Sequence, residues 1–213
     1  MSLKPLLSVT LTAAIALAAR LAQAEDAAEP EPDILDAPYP KRAHLALRFG
    51  AGPSFESIAS TALFGAHGSV SLGADTKVIH VFGTISGGGG KTDGGLDFYE
   101  FSVGPDLEWP LGPVRLGLRP RAGYLAIARA TESELMEDMR AGIGGLFAVD
   151  FFRENGFVIG LEAEPRIDAA IPGFALFDKA STYPIYGLRL NFVVKRRMPR
   201  AGDEPAPRIG AAF

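Results

Sequence analysis

His67 and Ser69 stand two positions apart, and these residue types could form part of a nucleophilic hydrolase site. Such a site needs a histidine that activates the serine hydroxyl and an acid that orients the histidine. Residues two apart share one face of a β-strand, and Val70 and Leu72 occupy the opposite, apolar face. Only two members of the catalytic set are apparent, so we interpret the pair as polar filling and predict no catalytic residue.

Glu162, Glu164 and Asp168 share one strand face and could act as paired catalytic carboxylates or ligate a cation. Arg166 lies on the same face, and Arg140 could sit across from Asp168. Neutralised side-chain packing is therefore the favoured interpretation. No two of the three histidines have the spacing of metal ligands, and we predict neither a metal nor a cofactor.

The stretch 87–92 reads GGGGKT and has the composition of a phosphate-binding loop. That motif needs a glycine five residues before Gly90, and Ile85 stands there instead. No helical pattern follows, so we predict a flexible external loop. The stretch 131–134 is similar to a helix capping box, and the acids around it favour a solvated face over a calcium site; they are Glu132, Glu134, Glu137 and Asp138.

The first 24 residues predict export from the cytoplasm. Lys4 precedes an apolar run over residues 6–19, and Ala22-Gln23-Ala24 has the small-x-small form of a cleavage site. This pattern is typical of a secretory signal peptide, residues 1–24, cut after Ala24. Cleavage removes two cations and no acid, so the formal net charge of −4 becomes −4 − 2 = −6, which disfavours a nucleic-acid partner.

Alternating apolar and polar residues dominate the rest of the chain and predict an all-β protein. A proline- and acid-rich leader over residues 25–42 precedes the alternating region, residues 43–195, and a flexible tail over residues 196–213 follows it. Eight strands are predicted within this region, at 43–51, 66–74, 77–86, 98–109, 113–126, 139–152, 156–168 and 185–195.

The predicted connections alternate between short and long. Tight links follow the second, fourth and sixth strands, whereas long links follow the first, third, fifth and seventh. Short turns at one end and long loops at the other are typical of a bacterial outer-membrane barrel, which has an even number of antiparallel strands. We therefore predict an eight-stranded antiparallel up-and-down transmembrane β-barrel with four long external loops.

The polar face of the strands mixes arginine, carboxylates and glycine, and it has almost no lysine. Glycine packs nothing on a solvated strand surface, but it makes room for a long neighbour inside a narrow lumen. We therefore predict that this face lines an enclosed, charge-balanced interior with seven cations and seven anions. This predicted lumen charge network consists of Arg48, Glu100, Asp106, Glu108, Arg115, Arg119, Arg121, Arg140, Asp150, Glu162, Glu164, Arg166, Asp168 and Arg189.

The opposite face of the fourth and fifth strands is free of charge and predicts contact with lipid. A turn centred on Leu111 would place Glu108 opposite Arg115 as a cross-strand ion pair. Tyr99 and Tyr124 mark one end of the apolar face, and Trp109 marks the other. We predict that these three aromatic residues belong to the girdles that flank the apolar band of a membrane barrel.

On these residues the chain resembles the small eight-stranded outer-membrane barrels typified by the transmembrane domain of the outer membrane protein A family. The resemblance spans residues 43–195 and rests on architecture. The last predicted strand contains Gly187, Leu190 and Phe192, which are similar to the terminal signal that the barrel-assembly machinery reads. The resemblance implies this machinery and outer-membrane lipid as partners, although about twenty residues follow Phe192, unlike in that family.

The sequence thus predicts a non-enzymatic protein of the bacterial outer membrane with a side-chain-filled polar lumen. Its expected role is structural, or surface interaction with an extracellular partner through the long loops. An eight-stranded interior is only wide enough for side chains to fill. Two alternatives remain open from the sequence: a narrow channel for small, even hydrophobic, solutes, and a soluble periplasmic lipid-binding barrel of reversed polarity.

Overall fold

The computed structural model describes residues 43–58, 61–128, 135–170 and 184–199, and these form a closed barrel in which each strand pairs antiparallel with its neighbours in chain order. The predicted signal peptide, the leader and the tail beyond residue 199 lie outside this range. Strand β8 closes the barrel against β1. The strands are β1 (His44–Ile58), β2 (Thr61–Asp75), β3 (His80–Thr92), β4 (Asp97–Leu111), β5 (Val114–Ala128), β6 (Leu135–Glu154), β7 (Phe157–Ala170) and β8 (Pro184–Arg197).

All eight predicted strands are present, and the fold class is confirmed. The connections 76–79, 112–113 and 155–156 lie at one end, called here the turn end. The strand ends that flank residues 59–60, 93–96, 129–134 and 171–183 lie at the other end, the loop end.

The first two of the four predicted long loops are wrong, because β1, β2 and β3 continue well beyond their predicted ends. β1 and β2 stay paired as far as Ile58 and Thr61, and the second connection shrinks to residues 93–96. The third and fourth predicted loops, with the capping-box stretch 131–134, fall largely outside the described residues. β6 already begins at Leu135.

The glycine-rich stretch is a strand rather than the predicted flexible loop. Residues 87–90 of β3 pair with both β2 and β4. Gly88 lies against His67 so closely that a β-carbon there would stand 2.7 Å from the histidine Cβ. Glycine at this position allows the two strands to approach this closely, because it has no side chain.

The β4–β5 hairpin has a different register from the one predicted. Leu111 pairs with Val114, and Glu108 pairs with Gly117 instead of Arg115. The turn has two residues rather than three, because Gly112 adopts a φ of +72°. The shift is two positions, so every side chain keeps its predicted face.

Substituting Gly112 with alanine is expected to lower the free energy of unfolding by about 1–2 kcal/mol, since a residue with a β-carbon is disfavoured in the left-handed region. Urea titration of refolded protein in vesicles measures this change. Gly145→Ala is the control, because a β-carbon there would meet nothing closer than 3.8 Å. Equal unfolding midpoints for both variants would contradict the turn geometry.

The exterior of the barrel is apolar over its middle and becomes polar at the loop end. Leu118 and Leu161 are 43% and 57% exposed in the middle of β5 and β7, whereas Ser57, Lys91 and Asp97 point outward near the loop end. A strand of 15 residues at about 3.3 Å per residue, tilted by about 40°, rises roughly 38 Å. The strands therefore exceed the roughly 25 Å apolar band of a membrane barrel. Within the described residues no helix combines the length and the apolar character needed to cross a membrane.

Candidate functional site: a closed charged lumen

The lumen holds eighteen buried ionic side chains among the described residues, nine cations and nine anions. All fourteen members of the predicted lumen charge network point inward and are at most 6% exposed. The other four are Glu56, Asp75, Lys195 and Arg197. Sequence reasoning missed them because each stood at or beyond a predicted strand end, although all four continue the inward parity of their strands.

The central layer of the network is built around Arg119. Its guanidinium donates to Glu162 at 2.6 Å, to Glu164 at 2.9 Å and to Glu108 at 3.2 Å. Arg115 donates to Asp150 at 2.9 Å and to Glu162 at 3.1 Å. The predicted Glu108–Arg115 ion pair also forms, at 2.5 Å, although the two residues are diagonal rather than opposite.

Arg48 completes this layer from β1. Its guanidinium pairs with Asp106 and Glu108, and it also donates to the Ser71 hydroxyl at 3.0 Å. Every guanidinium in this layer meets more than one carboxylate. Buried charges are tolerated only when they are paired and hydrogen-bonded, and each of these three guanidinium groups has at least two carboxylate partners.

A second layer lies towards the loop end and contains Glu56, Glu100, Arg140 and Arg189. Arg140 donates to Glu56 at 2.6 Å and also to Glu100, and Arg189 donates to Glu100 at 2.5 Å. The carboxylates Glu162, Glu164 and Asp168, which could have been catalytic or cation-binding, each have arginine partners instead; Arg166 lies 2.7 Å from Asp168 and Arg140 lies 3.7 Å from it.

A third layer closes the turn end around Asp75. Lys195 and Arg197 reach this carboxylate at 2.8 and 2.6 Å, and His80 Nδ1 lies 2.9 Å away. His44 is also fully buried here, with Nδ1 3.4 Å from the Met198 carbonyl. The histidines at this end fill the lumen beside charged neighbours.

An apolar cluster, called here the apolar cap, lies inside the lumen at its loop end, and the sequence did not predict it. Six inward-facing side chains pack together there with Leu96 at their edge. Gly65 makes room for one of them, since a β-carbon on it would lie 2.9 Å from the Phe98 ring. The members of this cap are Ile58, Leu63, Phe98, Leu125, Ile127 and Ile185.

A small polar cavity lies between the central and second layers of the described barrel. It measures about 10 Å³, which is room for about one water molecule. His67, Ser69 and Glu164 line it, yet no hydrogen bond joins the histidine to the serine within the described part of the chain. Among the described residues no three histidine or acidic side chains are grouped to hold a metal ion.

Two facing prolines interrupt the ladder between β4 and β5. No Cα pairing joins residues 104–106 of β4 to residues 119–121 of β5, and Pro105 and Pro120 both lack an N–H. Arg121 compensates from inside the barrel. Its Nη1 donates to the Pro105 carbonyl at 3.0 Å and to the Pro120 carbonyl at 3.3 Å, while its Nη2 pairs with Asp106.

Replacing Arg121 with methionine is expected to cost about 1–3 kcal/mol of unfolding free energy, because carbonyl groups in the wall would lose their donor. Urea titration of the refolded protein gives the cost. The same substitution in a Pro105→Val background should cost less, since valine restores one N–H to the ladder. Identical costs in both backgrounds would refute the role assigned to Arg121.

The predicted aromatic girdle and assembly-signal residues face outward, except Gly187. Tyr99 is 56% exposed and Trp109 is 38% exposed, and Tyr124 points outward with partial exposure. Leu190 and Phe192 of β8 also face outward, whereas Gly187 faces the lumen against Arg166.

Further exposed aromatic residues near the loop end were not predicted as girdle members; they are Phe55, Phe64 and Tyr186. Phe55 and Phe64 form an edge-to-face pair with ring centroids 5.9 Å apart.

No protein-family model matches the chain, and no curated protein is significantly similar to it in sequence. Solved structures do match. Neisserial surface protein A superposes with a TM-score of 0.53 at 13% identity, over 73% of this chain and 99% of that one. The N-terminal β-barrel domain of Pseudomonas aeruginosa OprF has a TM-score of 0.39 at 13% identity, over 71% and 99%. Ail of Yersinia pestis, solved with the heparin analogue sucrose octasulfate, has a TM-score of 0.41 at 12% identity, over 72% and 98%.

Neisserial surface protein A matches over nearly its whole length, and the strands here close in simple up-and-down order. The chain therefore has the eight-stranded antiparallel fold of the small outer-membrane β-barrels.

Proposed function

We propose that this protein is a non-enzymatic barrel of the bacterial outer membrane that acts as a structural or surface-interaction protein and does not conduct solutes. The observation that carries the proposal is the distribution of charge. Eighteen ionic side chains balance one another inside, at most 6% exposed, while large apolar side chains such as Phe49 and Phe147 are about half exposed outside. Lipid is the solvent that suits such an exterior.

The interior supports a closed barrel rather than a pore. Three ionic layers cross the lumen, the apolar cap follows them at the loop end, and the cavity between the layers holds about 10 Å³. Carrying a solute through would require the rupture of several buried ion pairs. Breaking one buried pair typically costs about 3–5 kcal/mol.

The asymmetry of the ends supports an orientation with the loop end outside the cell. The turn end has connections of two to four residues, and it is also where β1 begins and β8 ends. Bacterial barrels have their short turns in the periplasm. A surface-interaction role would then fall to the connections 129–134 and 171–183, the two that are longest.

Single-channel recording in planar bilayers tests the closed lumen. Refolded protein should give no steady conductance above that of protein-free membranes. As a positive control, a quadruple variant that empties the second layer, Arg140→Ala and Arg189→Ala with Glu56→Ala and Glu100→Ala, removes two cations and two anions and should produce measurable openings if it folds. Steady openings of the natural sequence would instead favour the narrow channel.

A soluble lipid-binding barrel would need the opposite polarity, with an apolar interior and a wettable exterior. Membrane fractionation separates the two proposals, because only an integral barrel needs detergent for extraction. The same preparation should show heat-modifiable gel migration. An assay for lipid hydrolysis, run on the natural sequence and on Ser69→Ala, tests the proposal that the protein is not an enzyme. A hydrolytic activity that is lost in the variant would overturn that proposal.

A further inference from the structure

The described outer wall carries a cation, Arg196, that faces away from the lumen charge network. Arg196 points outward near the turn end of β8, and its guanidinium carbon lies 4.1 Å from the centroid of the Phe157 ring. No carboxylate in the described part of the chain forms an ion pair with it. The acid Glu154 is the pairing partner of Phe157 on the neighbouring strand β6.

An apolar groove begins on the same wall, closer to mid-membrane. It spans β6, β7, β8 and β1 and has a volume of about 650 Å³. Ala163 forms part of its floor, because this small residue pairs with Phe147 on one side and Leu190 on the other. The principal lining side chains are Ala51, Pro53, Phe147, Leu161, Ala163 and Phe192.

The distance between the cation and the groove fits one lipid molecule. From Arg196 back to Leu190 the strand advances six residues, about 20 Å along a strand and roughly 15 Å along the membrane normal after a tilt of about 40°. Half of a hydrocarbon core of about 30 Å is also about 15 Å. A headgroup at Arg196 would therefore place its acyl chain in the groove.

We infer that this wall binds one anionic phospholipid of the turn-end leaflet, with its phosphate on Arg196 and an acyl chain beside Ala163. A net anion is favoured because no described carboxylate pairs with this guanidinium, which lies over an apolar ring. A guanidinium binds phosphate through paired N–H donors. The inference rests on the proposed outer-membrane location. It names a ligand class and a position that the proposed function leaves open.

Native mass spectrometry of the refolded full-length chain tests the site, with phosphatidylglycerol and phosphatidylcholine of equal chain length as probes in mixed micelles. Wild-type protein should retain phosphatidylglycerol in preference. Arg196→Gln should lower this retention about fivefold, the effect of one basic residue near a membrane surface, and should remove the preference. Ala163→Leu fills the groove and should lower the retention of both lipids.

Matched controls separate a built site from diffuse attraction. Lys77→Gln removes an exposed cation from the connection between β2 and β3, which is also at the turn end. Ala122→Leu enlarges an outward side chain on β5. Both variants should retain lipid like the wild type. If Lys77→Gln lowers retention as much as Arg196→Gln, or if Arg196→Gln retains the wild-type amount, the inference is overturned.

Each variant is first shown to fold by heat-modifiable migration. A wild-type chain that lacks this migration refutes the outer-membrane proposal, whereas a folded chain that retains neither lipid refutes only the lipid site.

Discussion

Replacing Arg119 with alanine is expected to lower the free energy of unfolding by about 3–5 kcal/mol, the typical cost of leaving buried charges without their partner. Glu162 and Glu164 would each lose a donor within 3 Å, and Glu108 would lose one at 3.2 Å. All three acids are at most 4% exposed, so water cannot replace the guanidinium without hydrating the lumen. Urea titration of the protein refolded in lipid vesicles measures the loss.

An exposed ion pair provides the control for Arg119. Lys91 and Asp97 lie 2.6 Å apart, but their side chains are 65% and 52% exposed. Solvent-exposed pairs contribute about 0–1 kcal/mol, so Lys91→Ala should shift the unfolding midpoint little. If both alanine variants unfold alike, the lumenal pairs are hydrated and the barrel is not closed as described.

Replacing Leu118 with arginine is expected to cost about 2–4 kcal/mol, the penalty for a cation facing lipid near the bilayer midplane. Leu118 is the residue next to Arg119, yet it points to the opposite side of the wall and is 43% exposed. The same residue type is thus stabilising at position 119 and destabilising at position 118. Equilibrium unfolding from vesicles quantifies the difference.

Ser57→Arg serves as the reference for this substitution, because Ser57 points outward near the loop end where the exterior is polar. The penalty for a lipid-facing arginine falls to about 0–1 kcal/mol near the membrane interface. A harmless Leu118→Arg would mean that the assigned outer face does not contact hydrocarbon.

The inside and outside faces could be predicted from the sequence because alternation is a local property. Arg115, Arg119 and Arg121 share one parity, and no register error of two positions can move them to the other face. This is why the β4–β5 hairpin kept its faces although its predicted turn was one residue too long. The register itself depends on the φ of Gly112, which composition alone does not reveal.

The loop end was harder to predict because its strands depart from apolar–polar alternation. Ile58 and Leu63 are apolar yet point into the lumen, so the pattern of a polar inner face breaks down there and their segment was interpreted as a loop. The glycines of residues 87–90 have no side chains to alternate. Pairing with neighbouring strands, which is not local in sequence, decides the structure of both stretches.

A spin-label scan of β5 tests the central claim, that hydrocarbon surrounds this barrel while its ionic side chains neutralise one another within. The chain has no cysteine, so single cysteines at positions 114–124 can be labelled without a background signal. In bilayers the account predicts a period of two, with apolar oxygen reaching labels at Leu116, Leu118 and Ala122 far better than a water-soluble nickel complex does. Ready access of the nickel complex to position 118, or access without alternation, would contradict the account.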